Sequence, residues 1–143
     1  MASQYFEIDA ETGLIKRELG LAAVTSTAYI GTQWNQGAAV TTDIACIINI
    51  EAVNVAAGSI YTFRIVGSNV ADRSDAQVLA MMELGNATTV GAPETVAAAA
   101  GNQLVLMART EKNDTAFRYI DLHLEMAGAS ATITFGAFIA RRK

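Results

Sequence analysis

The stretch FRYIDLHLEM (residues 117–126) alternates apolar and polar side chains over most of its length. On an extended strand, successive side chains point to opposite faces of the sheet. The even positions are apolar: Ile120, Leu122, Leu124 and Met126. The odd positions opposite them are Asp121, His123 and Glu125. This pattern predicts a strand with one face in a core and the other facing water or a neighbouring subunit.

Five other segments have the same two-residue period: 43–55, 60–68, 76–85, 103–110 and 130–140. They are rich in β-branched and aromatic residues, and turn sequences such as AAGS and MAGAS separate them. Within 76–85 the alternation predicts that Val78, Ala80, Met82 and Leu84 face the core. Residues 74–84 also begin with a Ser-x-x-Gln capping pattern, so a short helix is the alternative there.

About eight short strands without a helical period are typical of an all-β, single-domain antiparallel β-sandwich or jelly roll. We assign residues 41–143 to the sandwich and residues 1–40 to an N-terminal arm and the first strands. Mixed charges and scattered aromatic residues in 1–40 suit an arm lying on another surface, and an edge strand would look similar.

Composition limits the partners. The chain of 143 residues has 10 basic and 14 acidic residues and a net charge of −4, which argues against nucleic acid. Apolar residues make up 52% and charged residues 17%, so there is more apolar surface than one small core needs. The longest uncharged run, 19–42, is too polar for a membrane. The remaining uses are a ligand pocket and subunit contacts.

The sequence offers little for catalysis. With one histidine and one cysteine, the usual His and Cys ligand sets for zinc are not available. Asp121, His123 and Glu125 could at most form a mixed carboxylate and imidazole site, and the chain has no Gly-x-Ser-x-Gly nucleophile motif. We therefore predict no catalytic residue, metal or cofactor, and we assign Cys46 to the core. Flanking acids should favour the charged form of His123.

Aromatic and apolar residues in the polar first third of the chain are candidates for partner contacts. Trp34, between amides, could stack on a sugar or anchor a protein interface, and we favour the interface. The predicted contact residues are Tyr5, Phe6, Leu14, Ile15, Tyr29, Trp34 and His123.

Two segments taken in order, FRIVGSNVADRSDAQVLAMMELG (63–85) and RYIDLHLEMAGASATITFGAFIA (118–140), resemble the small jelly-roll capsid cement, or decoration, proteins of tailed bacteriophages. The resemblance implies a structural virion protein, made in the host cytoplasm, that binds the outside of a capsid. Its partners would be the major capsid protein and itself, as a homo-dimer or homo-trimer. Such a protein would stabilise the shell by bridging capsid subunits.

Two alternatives remain open at this stage. One is a β-sandwich carbohydrate- or receptor-binding module of a virion fibre, with Trp34 as the stacking residue. The other is an enzyme that uses His123.

Overall fold

The computed structural model describes residues 6–7, 13–55, 58–85, 96–97 and 101–142, and for 6–7 and 96–97 it describes the backbone alone. The strands are β1 (Phe6–Glu7), β2 (Ile15–Arg17), β3 (Ala28–Asn35), β4 (Asp43–Val53), β5 (Ile60–Ser68), β6 (Gln77–Gly85), β7 (Val96–Ala97), β8 (Gln103–Arg109), β9 (Glu111–Lys112), β10 (Thr115–Ala116), β11 (Tyr119–Ala127) and β12 (Ile133–Arg142). The described residues contain no helix long and apolar enough to span a membrane.

The strands form two sheets that pack face to face. Sheet A has the order β1–β12–β4–β8, with β2 also paired to β12, and sheet B has the order β3–β11–β5–β6–β7. Without the two-residue strands β1 and β7, the sheets are β2–β12–β4–β8 and β3–β11–β5–β6. These orders, with antiparallel pairing throughout both sets, are those of a jelly roll. The predicted fold is confirmed.

The core lies between the sheets and is filled by the apolar positions that alternation predicts. On β11, Ile120, Leu122 and Leu124 are fully buried. Phe63 of β5 meets Phe135 of β12 edge to face, with ring centroids 5.1 Å apart. The central strands of both sheets thus supply the contact that holds the sandwich together.

Residues 77–85 form strand β6 and not the alternative helix. Its register departs from simple alternation, because Ile65 pairs with Ala80 while the next residue, Val66, pairs with Val78. This bulge leaves Leu79 without an opposite residue and turns Val78 to the outer face. The prediction that Val78 faces the core is therefore wrong.

The first forty residues contribute strands to both sheets. β2 pairs with β12 in sheet A, and β3 pairs with β11 in sheet B. The described part of the predicted arm region, residues 13–40, consists of first strands integrated into the sandwich. Residues 1–5 and 8–12, where the rest of the predicted arm falls, lie outside the described residues.

Candidate functional site

The odd positions of β11 share the outer face of sheet B, as predicted, but they differ in exposure. Glu125 is exposed and His123 is half-buried, whereas Asp121 is only 1% exposed. The prediction that Asp121 faces water or a neighbour is wrong.

A bulge in β3 explains this burial. Ile120 pairs with Trp34 and Leu122 pairs with Ile30, so residues 31–33 lie opposite the single residue Asp121. The extra residues bend β3 there, and the side-chain amide of Gln33 donates a hydrogen bond of 2.9 Å to the Asp121 carboxylate.

Arg73, from the loop between β5 and β6, covers the Asp121 carboxylate. Its Nε and Nη2 donate to the two carboxylate oxygens at 2.9 and 3.0 Å, a bidentate pair that raises the pKa of Arg73. The guanidinium also lies 4.2 Å from the centre of the Tyr29 ring, and Tyr29 meets His123 edge to face at 4.7 Å. Asp121 thus fixes Arg73, which in turn fixes Tyr29.

Lys16 joins the two sheets beside this cluster. From β2 of sheet A, its ammonium donates to the carbonyl oxygens of Thr32 and Ile120 in sheet B, at 2.8 and 3.2 Å. Burial lowers the pKa of Lys16 to about 8, and the charge of Asp121 opposes that shift.

Cys46 is a buried core residue, as predicted, and burial raises the pKa of its thiol to about 12.

His123 is surrounded by charges of both signs. Its pKa is lowered, first by burial and then by Arg64, while Glu125 and Asp121 act in the opposite direction. The prediction that the charged form of His123 is favoured is wrong, because burial and the positive charge of Arg64 on the neighbouring strand outweigh the two carboxylates. Over the described ranges, no group of three His, Cys, Asp or Glu residues is placed to hold a metal ion.

A cavity of about 290 Å³ opens beside His123 on the outer face of sheet B. We call it the Tyr29 cavity, and its lining residues are Tyr29, Arg64, Val66, Ala76, Gln77, Val78 and His123. It combines an aromatic ring, polar side chains and two valines.

The outer face of sheet A has a different character. Two rows of apolar residues cross its three main strands, and together we call them the apolar face: Phe138, Ile47 and Val105 in one row, and Ala140, Ala45 and Met107 in the next. On β8, Met107 is 64% exposed and Val105 is 46% exposed, whereas Ile47 and Phe138 are only partly exposed and Ala45 and Ala140 are buried. The exposed part of the apolar face is therefore its β8 side. Exposed apolar area of this kind on a sheet is typical of an interaction surface.

Beside the apolar face lies a second cavity of about 280 Å³, between β2 and β12. Gly136 provides its floor, and Ile15, Leu19 and Phe138 are among its walls. Because Gly136 has no side chain, Leu19 packs directly over it, and a Cβ at this position would strike the Leu19 side chain.

The structure divides the predicted contact residues. Leu14 and Trp34 are buried in the core, at 0% and 1% exposure, so neither lies on a surface. Trp34 points inward because it pairs with Ile120, whose side chain is also in the core. This burial also removes the sugar-stacking role considered for Trp34.

Of the other predicted contacts, Ile15 lies beside the apolar face, and Tyr29 and His123 line the Tyr29 cavity. Tyr5 lies outside the described residues, and Phe6 is described only through its backbone, which pairs with Arg142. The contact role of the exposed residues stays a prediction.

The sequence patterns did not single out Arg73, Val105 or Met107. The sequence does contain a signal for Val105 and Met107. In LVLM (104–107), as in IACII (44–48), the odd-numbered and the even-numbered positions are both apolar. A strand that is apolar on both parities is expected where both faces of its sheet are covered.

Comparisons with known proteins add little. No protein-family model matches the chain, and no curated protein matches it. Among solved structures, it is similar to the N-terminal endo-1,4-beta-D-xylanase 10B of Clostridium thermocellum (CBM22-1–GH10 modules complexed with xylohexaose), with a TM-score of 0.42 and 10% identity. The match covers 94% of this chain and 29% of that one. A likeness this distant carries no inference about function.

Proposed function

We propose that this chain is a non-catalytic structural protein of a virion that binds the outside of a phage capsid and bridges major capsid protein subunits. The apolar face carries the proposal, and the choice of the major capsid protein as partner rests on the resemblance of residues 63–85 and 118–140 to capsid cement proteins. The partner in this proposal is a folded protein surface.

The pattern of polarity on sheet A supports a protein partner. Interfaces between proteins commonly have an apolar centre and a polar rim. Polar residues flank the two apolar rows on both sides. On one side Gln103 donates a hydrogen bond of 2.9 Å to Asn49, and on the other Asp43 pairs with Arg109 at 3.1 Å. The centre can therefore be desolvated without burying an unpaired charge.

The cavity over Gly136 gives the apolar face a place for an anchor. Interface energies are concentrated where one partner inserts a side chain into a pocket on the other. The hollow walled by Ile15, Leu19 and Phe138 is continuous with the apolar face through Phe138. An apolar side chain of a capsid subunit would fill it.

The absence of an enzymatic role is part of the proposal. Asp121 is bound to Arg73, and Glu125 is bound to Arg64, so neither carboxylate is held ready for proton transfer. These pairs instead hold strands and loops together.

Capsid stabilisation would follow from mass action. A protein that binds an assembled shell and not its separated subunits adds its binding free energy to the stability of the shell. Self-association as a dimer or trimer would add to this by engaging several capsid subunits at once.

Two exposed methionines on opposite faces of the sandwich allow a matched test. Met107 is 64% exposed on the apolar face, and Met81 is 58% exposed on the outer face of sheet B, beside Arg64. Purified chain is mixed with capsids that lack it, and the capsids are sedimented. We expect the wild type and Met81→Glu to sediment with the capsids.

Met107→Glu should bind at least about tenfold more weakly, because binding would bury a charge without a partner. Both substitutions are on exposed side chains and should leave the fold intact. A wild-type chain that stays in the supernatant at every salt concentration contradicts the proposal. Equal binding by Met107→Glu and Met81→Glu contradicts the role of the apolar face.

A further inference from the structure

The Tyr29 cavity lies on the face of the sandwich opposite to the apolar face and takes no part in the function proposed above. Its lining mixes side chains that bind hydroxyl groups with side chains that bind C–H groups. We propose that the Tyr29 cavity is a binding site for a neutral, hydroxylated ligand of the saccharide class.

The charges around the cavity balance one another. Arg64 in its wall is paired with Glu125, and Arg73 behind the Tyr29 ring is paired with Asp121. An anion would meet no uncompensated positive charge, and a cation would meet no uncompensated negative charge. This balance favours an uncharged ligand.

Three polar side chains in the lining have unused hydrogen-bonding capacity. Within the part of the chain that the structure describes, no residue forms a hydrogen bond with the Tyr29 hydroxyl, the Gln77 amide or the His123 ring. The lowered pKa of His123 leaves its ring neutral near pH 7, so it can donate from one nitrogen and accept at the other. Ligand hydroxyl groups, which both donate and accept, match this set.

The apolar part of the lining complements the C–H faces of a sugar ring. Val66 and Val78 pair across β5 and β6, and both side chains line the cavity. A pyranose ring presents C–H groups on its faces and hydroxyl groups at its edge. A few fixed polar groups around an apolar floor are the usual composition of a small-molecule site, and about 290 Å³ is near the lower end of the usual size.

The aromatic wall is held in place before a ligand arrives. Asp121 fixes Arg73 by two hydrogen bonds, and Arg73 packs on the Tyr29 ring, which contacts His123. A side chain that is already ordered loses little conformational entropy on binding. The buried carboxylate on β11 therefore acts as a positioning group for the cavity.

The test uses the single histidine as a reporter. Because His123 is the only histidine in the chain, its ring protons give unique NMR signals. The full chain is titrated at fixed pH with glucose, galactose, mannose and N-acetylglucosamine, and with N-acetylneuraminic acid as an anionic probe. We expect at least one neutral sugar to shift the His123 signals in a saturable way.

Single substitutions test whether the sugar binds in the Tyr29 cavity. Tyr29→Ala should weaken that binding by about tenfold, and Gln77→Ala, at an exposed side chain, should weaken it without affecting the fold. Tyr119→Ala is the matched control, because Tyr119 lies on β11, which pairs with the β3 strand of Tyr29, but does not line the cavity. Met107→Glu should bind the sugar normally, which separates this test from the capsid test.

Three results would overturn the inference. The first is that no neutral sugar of the panel shifts the His123 signals in a saturable way. The second is that N-acetylneuraminic acid alone shifts them. The third is undiminished sugar binding by both Tyr29→Ala and Gln77→Ala. If Tyr29→Ala does not fold, Gln77→Ala decides.

Discussion

Lys16 should make the stability of this protein depend on pH in the alkaline range. Its side chain is 3% exposed, and burial lowers its pKa from 10.5 to about 8. Between these two values the unfolded chain holds a proton on Lys16 that the folded chain has released. The free energy of unfolding therefore rises with pH across this window.

Cys46 should limit the rise. One pKa unit corresponds to about 1.4 kcal/mol, so Lys16 alone would contribute roughly 3 kcal/mol across the window. Burial raises the pKa of the Cys46 thiol from 9.0 to about 12. Above pH 9 the unfolded thiol loses a proton that the folded thiol keeps, which lowers the free energy of unfolding with the same slope. Because both groups titrate gradually, we expect a rise of about 1 kcal/mol in total between pH 7 and about pH 9.5, centred between pH 8 and pH 9, and then a plateau.

Urea denaturation at a series of pH values measures this effect. Trp34 is the only tryptophan and is buried, so its fluorescence reports unfolding. Cys46→Ala should extend the rise to roughly 3 kcal/mol, and Lys16→Met should abolish it below pH 9 and leave a decline above. A wild type whose stability does not change between pH 8 and pH 9 would refute the reasoning, as would a rise that persists in Lys16→Met.

Three further predictions concern the residues that shape sheet B. Asp121→Asn should lower the free energy of unfolding by about 2 kcal/mol, because it removes the charge that holds Arg73; an unchanged urea midpoint would contradict this. Trp34→Ala should cost about 3–5 kcal/mol, as for a large core residue, and a loss below 1 kcal/mol would argue against its burial. Gly31→Ala should destabilise by more than about 2 kcal/mol, because Gly31 has a φ of +71° and a Cβ there would strike the carbonyl oxygen of Lys16. Gly20, with a φ of +82° and nothing within 4 Å of a Cβ, is the control: Gly20→Ala should cost about 1 kcal/mol, and equal losses in thermal melts would contradict the steric explanation.

Alternation along the chain was sufficient to predict six of the strands, β4, β5, β6, β8, β11 and β12, because the direction of a side chain on a strand is a local property. The inward set on β11 and the inward side chains of Phe63 and Phe135 follow from that rule. It fails at the bulge in β6, where one extra residue reverses the parity and turns Val78 outward. The bulge at residues 31–33 adds two residues and keeps the parity, so Ile30 and Trp34 both face the core. Trp34 was taken for a surface residue because amide side chains flank it in the sequence.

The candidate sites were harder to predict because they depend on contacts between distant parts of the chain. Asp121 is buried by Gln33, 88 positions away, and by Arg73, 48 positions away. Nothing in RYIDLHLEM indicates either partner. The apolar face left a partial signal in the two-sided apolar character of β4 and β8, but identifying its exposed side required the pairing of the strands.

The most direct test of the proposed function is an electron cryo-microscopy comparison of capsids with and without the bound chain. The account predicts added density on the outer surface of the shell, in contact with more than one capsid subunit. In that density the face with Val105 and Met107 should lie towards the shell, and Tyr29 and His123 should point away from it. Capsids without added density would contradict the account, and so would a sandwich bound through sheet B.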